Sequence, residues 1–427
     1  MIITRSYFFI DICILETCRF LLLKVLFMKI KFRLKLFILD TCISFMDDQT
    51  IINYLLDKQS LISKKPANQL SNLIHQQLGL HSTDYLTPYI SLWNRIDDFD
   101  PKQLFMALNK LDFLRKRAYR GTVFVIAKDI LPILNVSSKV FATTWFKGFE
   151  KELVKMNIDF APFTKHIKEL FEKHKELTVN ELKKLIEGTN LFPSKLCSLA
   201  LRYYELDGFL VRTTHRYLND RVIRYGLVEQ FFPKISKNPL DVDTAFEDLF
   251  LRYLKQYGPV TVDDFSWWLP TTKTKSKQLI EKYKEEISEI KFNNQTYFIH
   301  NTDYNMLQKY EHKVDLKVNF LPYEDHFPKS YTKRQWYLAD ELQTTMIGQT
   351  TMTAGQLWPS IWVNGKIIGK WEIVYQDKAK TSTKIKITHL ENRSKLEQTI
   401  LDEIENQRNN LEYFINEKLL PLNQKKK

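Results

Sequence analysis

Residues 194–227 read SKLCSLALRYYELDGFLVRTTHRYLNDRVIRYGL. The spacing predicts a helix, a tight break at Asp207-Gly208, and a hairpin turning at Asn219-Asp220. The hairpin carries Arg212, Arg216, Arg221 and Arg224 against one acid, Asp220, and the helix adds Lys195 and Arg202. Helix, short turn and basic hairpin is the layout of a winged helix-turn-helix. In that module a helix enters a DNA groove and the hairpin grips the phosphate backbone beside it.

The rest of the chain repeats this order. Upstream, Asp100-Pro101 starts a helix, and PKQLFMALNKLDFLRKRAYRGTVFVI runs from that helix through basic residues into a β-branched strand. Lys116, Arg117 and Arg120 flank the strand. Residues 140–178 read as helical with solvated Lys/Glu faces, and Thr178-Val-Asn-Glu181 is a capping box before Leu182, Leu185 and Ile186. Downstream, AFEDLFLRYLKQYG ends at Gly258, VDDFSWWL is a short helix, SKQLIEKYKEEI is another, and SEIKFNNQTYFI is a hairpin around Asn293-Asn294. Three copies of one order carry more weight than any single copy.

Beyond residue 313 the pattern changes period. VNFLPYEDH, LWPSIWVNGKIIGKWEIVY and TKIKITHL alternate as strands, with Asn364-Gly365 as the clearest hairpin turn. These strands predict a small barrel-like β-domain. Leu396, Ile400, Ile404, Leu411 and Phe414 then mark one face of a terminal helix, and Lys425–Lys427 a solvated tail. The expected class is α+β, with tandem winged helices, a C-terminal β-barrel-like domain and a terminal helix. The expected divisions are an extension over 1–45, a helical region with the first winged helix over 46–140, the second over 141–232 and the third over 233–312. The β-domain follows over 313–390, and the helix and tail over 391–427.

Bulk numbers agree with a folded, polyanion-binding protein. The 427 residues carry a net charge of +13, with 44% hydrophobic and 26% charged residues. That is ordinary globular composition with a cationic surplus suited to nucleic acid. Cys13, Cys18 and Cys42 fall in the first 45 residues and only Cys197 lies beyond. There is no CxxC pair and no close His spacing, so neither a zinc site nor a disulfide framework is expected. A reducing, cytoplasmic, nucleoid-associated location follows. Within residues 1–45, Asp11, Glu16, Arg19 and Lys24 interrupt any uncharged membrane span. Met46 opens an ordinary soluble start, and residues 1–45 read as a mis-assigned extension or a surface anchor.

Several short motifs, in order, resemble the bacterial winged-helix DNA glycosylase family typified by AlkZ and YcaQ. The carrying residues are Leu92, Arg95 and Phe99; Arg120-Gly121-Thr122; Tyr257-Gly258-Pro259-Val260-Thr261 with Asp264, Phe265 and Trp267; Leu321-Pro322 with Asp325, Tyr331 and Arg334; and Val363-Asn364-Gly365 with Gly369 and Trp371. The match runs from about residue 65 to the C-terminus. The resemblance implies a DNA channel between winged helices and β-domain, and hydrolysis of the bond joining an alkylated or crosslinked base to deoxyribose. Such a site holds a water beneath the sugar and tolerates positive charge developing there. The family uses Gln-Φ-Gln or Gln-Φ-Asp, with Φ apolar. Counting back from Arg95 puts that motif on His81-Ser82-Thr83, followed by Asp84, so the Gln pair is absent here. The position where the family often carries a wing histidine is Phe124, and Gln76-Gln77 offers a shifted alternative.

The residues taken as catalytic are therefore His81, Thr83 and Asp84, although an Asp at the position of Asp84 is more often the N-cap of a Tyr85–Trp93 helix than a base. Arg117, Arg120, Lys195, Arg202, Arg212, Arg216, Arg221, Arg224 and Arg334 are taken as DNA contacts. No metal and no cofactor is expected. The partner is double-stranded DNA, damaged or crosslinked, bound by a monomer without a membrane. Two other classes stay open: a non-catalytic regulator or lesion binder of the same fold, and a protein–protein scaffold.

Overall fold

Local chemistry sets the element boundaries. Glu181 Oε2 accepts the Thr178 amide at 2.8 Å while Thr178 Oγ1 accepts the Glu181 amide at 3.2 Å, starting helix Val179–Thr189. Asp100 caps helix Pro101–Asn109 through the Lys102 amide. Thr261 and Asp264 form a second capping box at helix Val262–Trp268. The computed structural model describes residues 46–423 except 146, 190, 214–217, 219–221, 237–239, 270, 312–314 and 351–354. Expectations for residues 1–45, Arg216, Arg221, the Asn219-Asp220 turn and the lysine tail lie outside the described residues. Asp48–Lys427 forms one unit, with residues 1–47 assigned to another.

Three stretches of that unit share one order. In the first, β1 (Leu80–His81) precedes helices Thr87–Trp93 and Pro101–Asn109, then β2 (Phe113–Arg117) and β3 (Val123–Ala127), in a sheet ordered β1-β3-β2. In the second, β4 (Leu177–Thr178) precedes helices Val179–Thr189 and Cys197–Asp207, then β5 (Leu210–Arg212) and β6 (Arg224–Leu227), ordered β4-β6-β5. In the third, Val260 precedes helices Val262–Trp268 and Lys273–Lys282, then the hairpin β7 (Ile287–Phe292) and β8 (Gln295–His300). Val260 bridges Phe298 of β8, taking the place that β1 and β4 take in the other two. Each time, a segment just before a helix pair docks on the second strand of the hairpin that follows.

The C-terminal sheet is antiparallel, ordered β12 (Thr383–Leu390), β11 (Lys366–Tyr375), β10 (Ser360–Val363) and β9 (Val318–Leu321). Among the described residues it is not a closed barrel, which corrects the barrel-like expectation. The reason lies at its edges. Strands β9 and β12 do not pair with each other; helix Gln398–Tyr413 packs across both instead. The Asn416 and Glu412 side chains accept the amides of Thr383 and Ile385, each at 2.8 Å. Edge donors that a further strand would satisfy are satisfied by carboxamide and carboxylate.

Two cores result. One joins Leu73, Ile90, Phe99 and Val125 to Phe320 and Trp371 of the sheet and to Leu411 and Phe414 of the terminal helix. Residues on both sides of residue 313 therefore share one apolar interior. The other, from Phe149 to Leu227, joins the second stretch to helices Lys147–Lys155 and Phe160–His174 just before it.

Candidate active site and nucleic-acid interface

Segment 78–84 is placed by its backbone. Leu78 and Gly79 take φ of 56° and 116°, and a Cβ on Gly79 would stand 2.9 Å from the Val125 carbonyl oxygen. Glycine is required at this turn. The chain then enters β1, where Leu80 pairs with Val125 and His81 with Phe124, and the Ser82 amide donates to the Val123 carbonyl. This register sends the His81 ring inward. It is 1% exposed, edge-on to Phe124 at 5.3 Å and near the Tyr323 ring at 6.5 Å. Nε2 lies 3.1 Å from Thr83 Oγ1, and Nδ1 has no partner among the described residues. Burial, then nearby Lys329, hold the imidazole well below its usual pKa, so it is neutral.

Thr83 and Asp84 emerge from the strand and are exposed. Asp84 Oδ1 accepts the Leu86 amide at 2.8 Å, just ahead of helix Thr87–Trp93. The carboxyl is reachable from solvent yet closely surrounded. Accessibility governs what can reach it, and crowding governs its hydration. Lost hydration raises its pKa, against the opposing pull of the Leu86 and Thr87 amides and Arg115.

Facing this segment is the stretch Leu321–Arg334. Asp325 accepts two bonds from Arg95, at 2.7 and 3.0 Å, and one from Ser91 Oγ at 2.6 Å. The His326 ring meets Gln77 Oε1 at 2.9 Å, and the Tyr323 carbonyl accepts Thr87 Oγ1 at 3.0 Å. Glu324 takes the Lys329 ammonium and the Leu357 amide. Ties to Thr87, Ser91 and Arg95, to Gln77 ahead of β1 and to Leu357 ahead of β10 therefore fix this stretch in place.

Between the two runs a recess of about 400 Å³, its walls including Asp84, Thr87, Tyr323, Trp358, Lys370 and Glu372. The Tyr323 and Trp358 rings lie 5.7 Å apart at 33°, and Lys370 Nζ sits 4.9 Å from the Trp358 centroid. The exposed Asp84 carboxylate thus borders an aromatic-walled space, with Thr83 next to it in the chain. Such a site can hold a water and a planar group side by side.

The cations divide into two groups. Arg120 sits at the tip between β2 and β3 with φ of 55°, its guanidinium 3.2 Å from the Trp267 ring centroid. Burial draws its pKa down to about 10, with Glu324 opposing and Arg334 adding to the effect. Arg334 is 9% exposed and donates to the Gly355 carbonyl at 2.8 Å. Lys195 and Arg202 are exposed. Arg224 pairs with Glu181 at 3.3 Å. Arg212 is 4% exposed and gives Glu205 two bonds, at 2.9 and 3.1 Å. Arg117 also approaches Glu205, at 3.5 Å, and buried Lys116 donates to the Glu205 carbonyl. Arg212 and Lys116 therefore serve an internal junction between the first and second stretches, unlike the solvent-facing Lys195 and Arg202.

Sequence reading passed over Arg115, Tyr323, Lys329 and Lys370. Arg115 donates to the Ser82 carbonyl at 2.9 Å and braces the Asp84 segment. Its signal was available, since strand alternation puts Arg115 and Arg117 on one face and Lys116 on the other. Tyr323 and Lys370 come from a loop and from β11 and reach the recess beside residue 84 only through tertiary packing, and Lys329 lies in the short helix His326–Lys329, paired with Glu324.

Residues 74–406 match the family model for AlkZ-like DNA glycosylases. Among solved structures, the fold is similar to the Streptomyces sahachiroi DNA glycosylase AlkZ, with a TM-score of 0.66 at 16% identity over 88% of this chain and 97% of that one. No curated protein sequence matches the chain.

Proposed function

As the chain belongs to the AlkZ-like DNA glycosylase family, we propose that it binds double-stranded DNA and hydrolyses the N-glycosidic bond of an alkylated or crosslinked base. The three helix-pair and hairpin stretches act as winged helices on this reading, and the protein works as a cytoplasmic monomer. Lys195, Arg202, Arg224, Arg120 and Arg334 meet phosphates, as do Arg216 and Arg221, while Arg117 and Arg212 hold the first and second stretches together.

The observation that carries the catalytic part is the exposure of Thr83 and Asp84 beside the aromatic recess. Thr83 Oγ1 and the Asp84 carboxylate hold one water beneath the sugar. As the bond from C1′ to the base nitrogen lengthens, its electron pair leaves with the base and positive charge develops on the sugar. The Asp84 anion stabilises that charge, the water oxygen bonds to C1′, and Asp84 takes the released proton. Neutral His81 orients Thr83 through Nε2. The water is thus assigned to a carboxylate and a hydroxyl where the family uses a Gln pair.

A second reading, a lesion-binding protein without turnover, is favoured by one fact. The residue at the first Gln position, His81, is buried and already engaged with Thr83. Incubating the full chain with duplex carrying an alkylated purine separates the two. Released base together with an abasic strand supports hydrolysis, and tight, salt-dependent binding with no release supports the second reading.

A further inference from the structure

A second recess, of about 900 Å³, opens on other elements. Its walls come from helix Asp48–Lys58, the end of helix Val242–Tyr257 and helix Asn301–Leu307. At its floor Asp303 Oδ1 accepts Tyr54 Oη at 2.8 Å and pairs with Lys58 Nζ at 2.9 Å, so that the buried acid is compensated. Around the rim stand Lys65, Lys255 and Lys309, all exposed. Among the described residues none of these three forms an ion pair. Arg252 is held by Asp248 at 2.9 Å.

Two further features point to a ligand. Gln256 lines the recess and is 8% exposed, and its Nε2 has no hydrogen-bond partner among the described residues. Leaving a buried amide donor unpaired costs about 1–3 kcal/mol, which an incoming acceptor would offset. Beside it, the Tyr54 and Tyr310 rings meet edge-on at 5.5 Å, and Met306 is 50% exposed. The three rim lysines outnumber the Asp57 and Glu311 carboxylates and favour an anion, the lone donor asks for an acceptor, and the apolar wall suits a flat ring.

We propose that this recess binds a nucleotide. Its phosphate lies at Lys255 and Lys309, its base against Tyr310 and Met306, and a base acceptor at Gln256 Nε2. The carboxylates of Asp57 and Glu311, which also line the recess, accept from sugar hydroxyls or an exocyclic amine. The site is separate from residues 81–84 and does not depend on base excision.

The test is calorimetric titration of the full chain with AMP, with inorganic phosphate, with adenosine and with a short single-stranded oligonucleotide. AMP is expected to saturate at about one per chain, with phosphate and adenosine alone at least roughly tenfold weaker. The double substitution Lys255→Glu and Lys309→Glu should weaken AMP at least roughly tenfold and leave the melting temperature and duplex binding unchanged. Photo-crosslinking with 8-azido-AMP should label the peptide holding Met306 and Tyr310, a readout that needs no variant. Oligonucleotide competing with AMP assigns the nucleotide to a strand end, and no competition assigns it to a free nucleotide. Absence of saturable AMP binding, AMP binding that survives the double substitution, or labelling elsewhere overturns the proposal.

Discussion

Arg95 and Asp325 stand 230 positions apart in the chain and meet in a bidentate, fully buried ion pair, with contacts of 2.7 and 3.0 Å. Burial alone would raise the Asp325 carboxyl, and the Arg95 guanidinium more than reverses this, holding it well below the usual carboxylate range. The pair ties helix Thr87–Trp93 to the stretch that faces the candidate site. Arg95→Met should therefore lower stability by about 3–5 kcal/mol, because it leaves a buried anion without its partner. Adding Asp325→Leu should recover part of that loss. Urea denaturation of the single and double variants checks both, and equal stability of Arg95→Met and wild type would refute the role.

Stability should also fall on mild acidification. Burial draws the His326 pKa down to about 3, and His81 is likewise held well below its ordinary value. Both bind a proton more readily when unfolded. Their contribution is complete above about pH 6.5 and is lost as pH falls toward the folded values. Each imidazole should cost about 1.4 kcal/mol per pH unit within that window. Denaturation midpoints measured from pH 7 to 5 should decline, and the double variant His81→Gln and His326→Gln should flatten the slope. An unchanged slope would show that these rings are not neutral in the folded state.

Arg120 and Arg212 should behave as opposites. Arg120, stacked on Trp267 at a hairpin tip, is assigned to phosphate. Arg120→Ala should weaken duplex binding and reduce the slope of log K against log salt by about one. Arg212 is held inside by Glu205. Arg212→Met should lower the unfolding free energy by about 3 kcal/mol and leave the salt slope of the folded fraction unchanged. Reversed outcomes would exchange the two roles.

Much of this architecture is legible in short-range chemistry. Asn364-Gly365 and Asn293-Asn294 both form two-residue turns with positive φ, as their residue types demand. The Thr178–Glu181 box and the Asp100 cap are read directly from spacing. What is not legible depends on distance along the chain. Nothing local in Arg212 tells that Glu205 will bury it, since a basic hairpin looks alike whether its arginines meet phosphate or an internal carboxylate. The open sheet is hidden for a related reason. Strand alternation gives no sign that Asn416 and Glu412 will occupy the edge of β12. In the candidate site, motif position brings His81 forward. Pairing register turns it inward and leaves the more ordinary-looking Thr83 and Asp84 in solvent.

Single-turnover release of an alkylated purine from duplex DNA by wild type and Asp84→Asn is the most direct measurement. Wild type should release base, with a rate that rises with pH as the elevated Asp84 carboxyl ionises. Asp84→Asn should be slower by about 100-fold or more while binding the same duplex within about threefold. Release by Asp84→Asn at the wild-type rate would contradict the assignment of the water to this carboxylate.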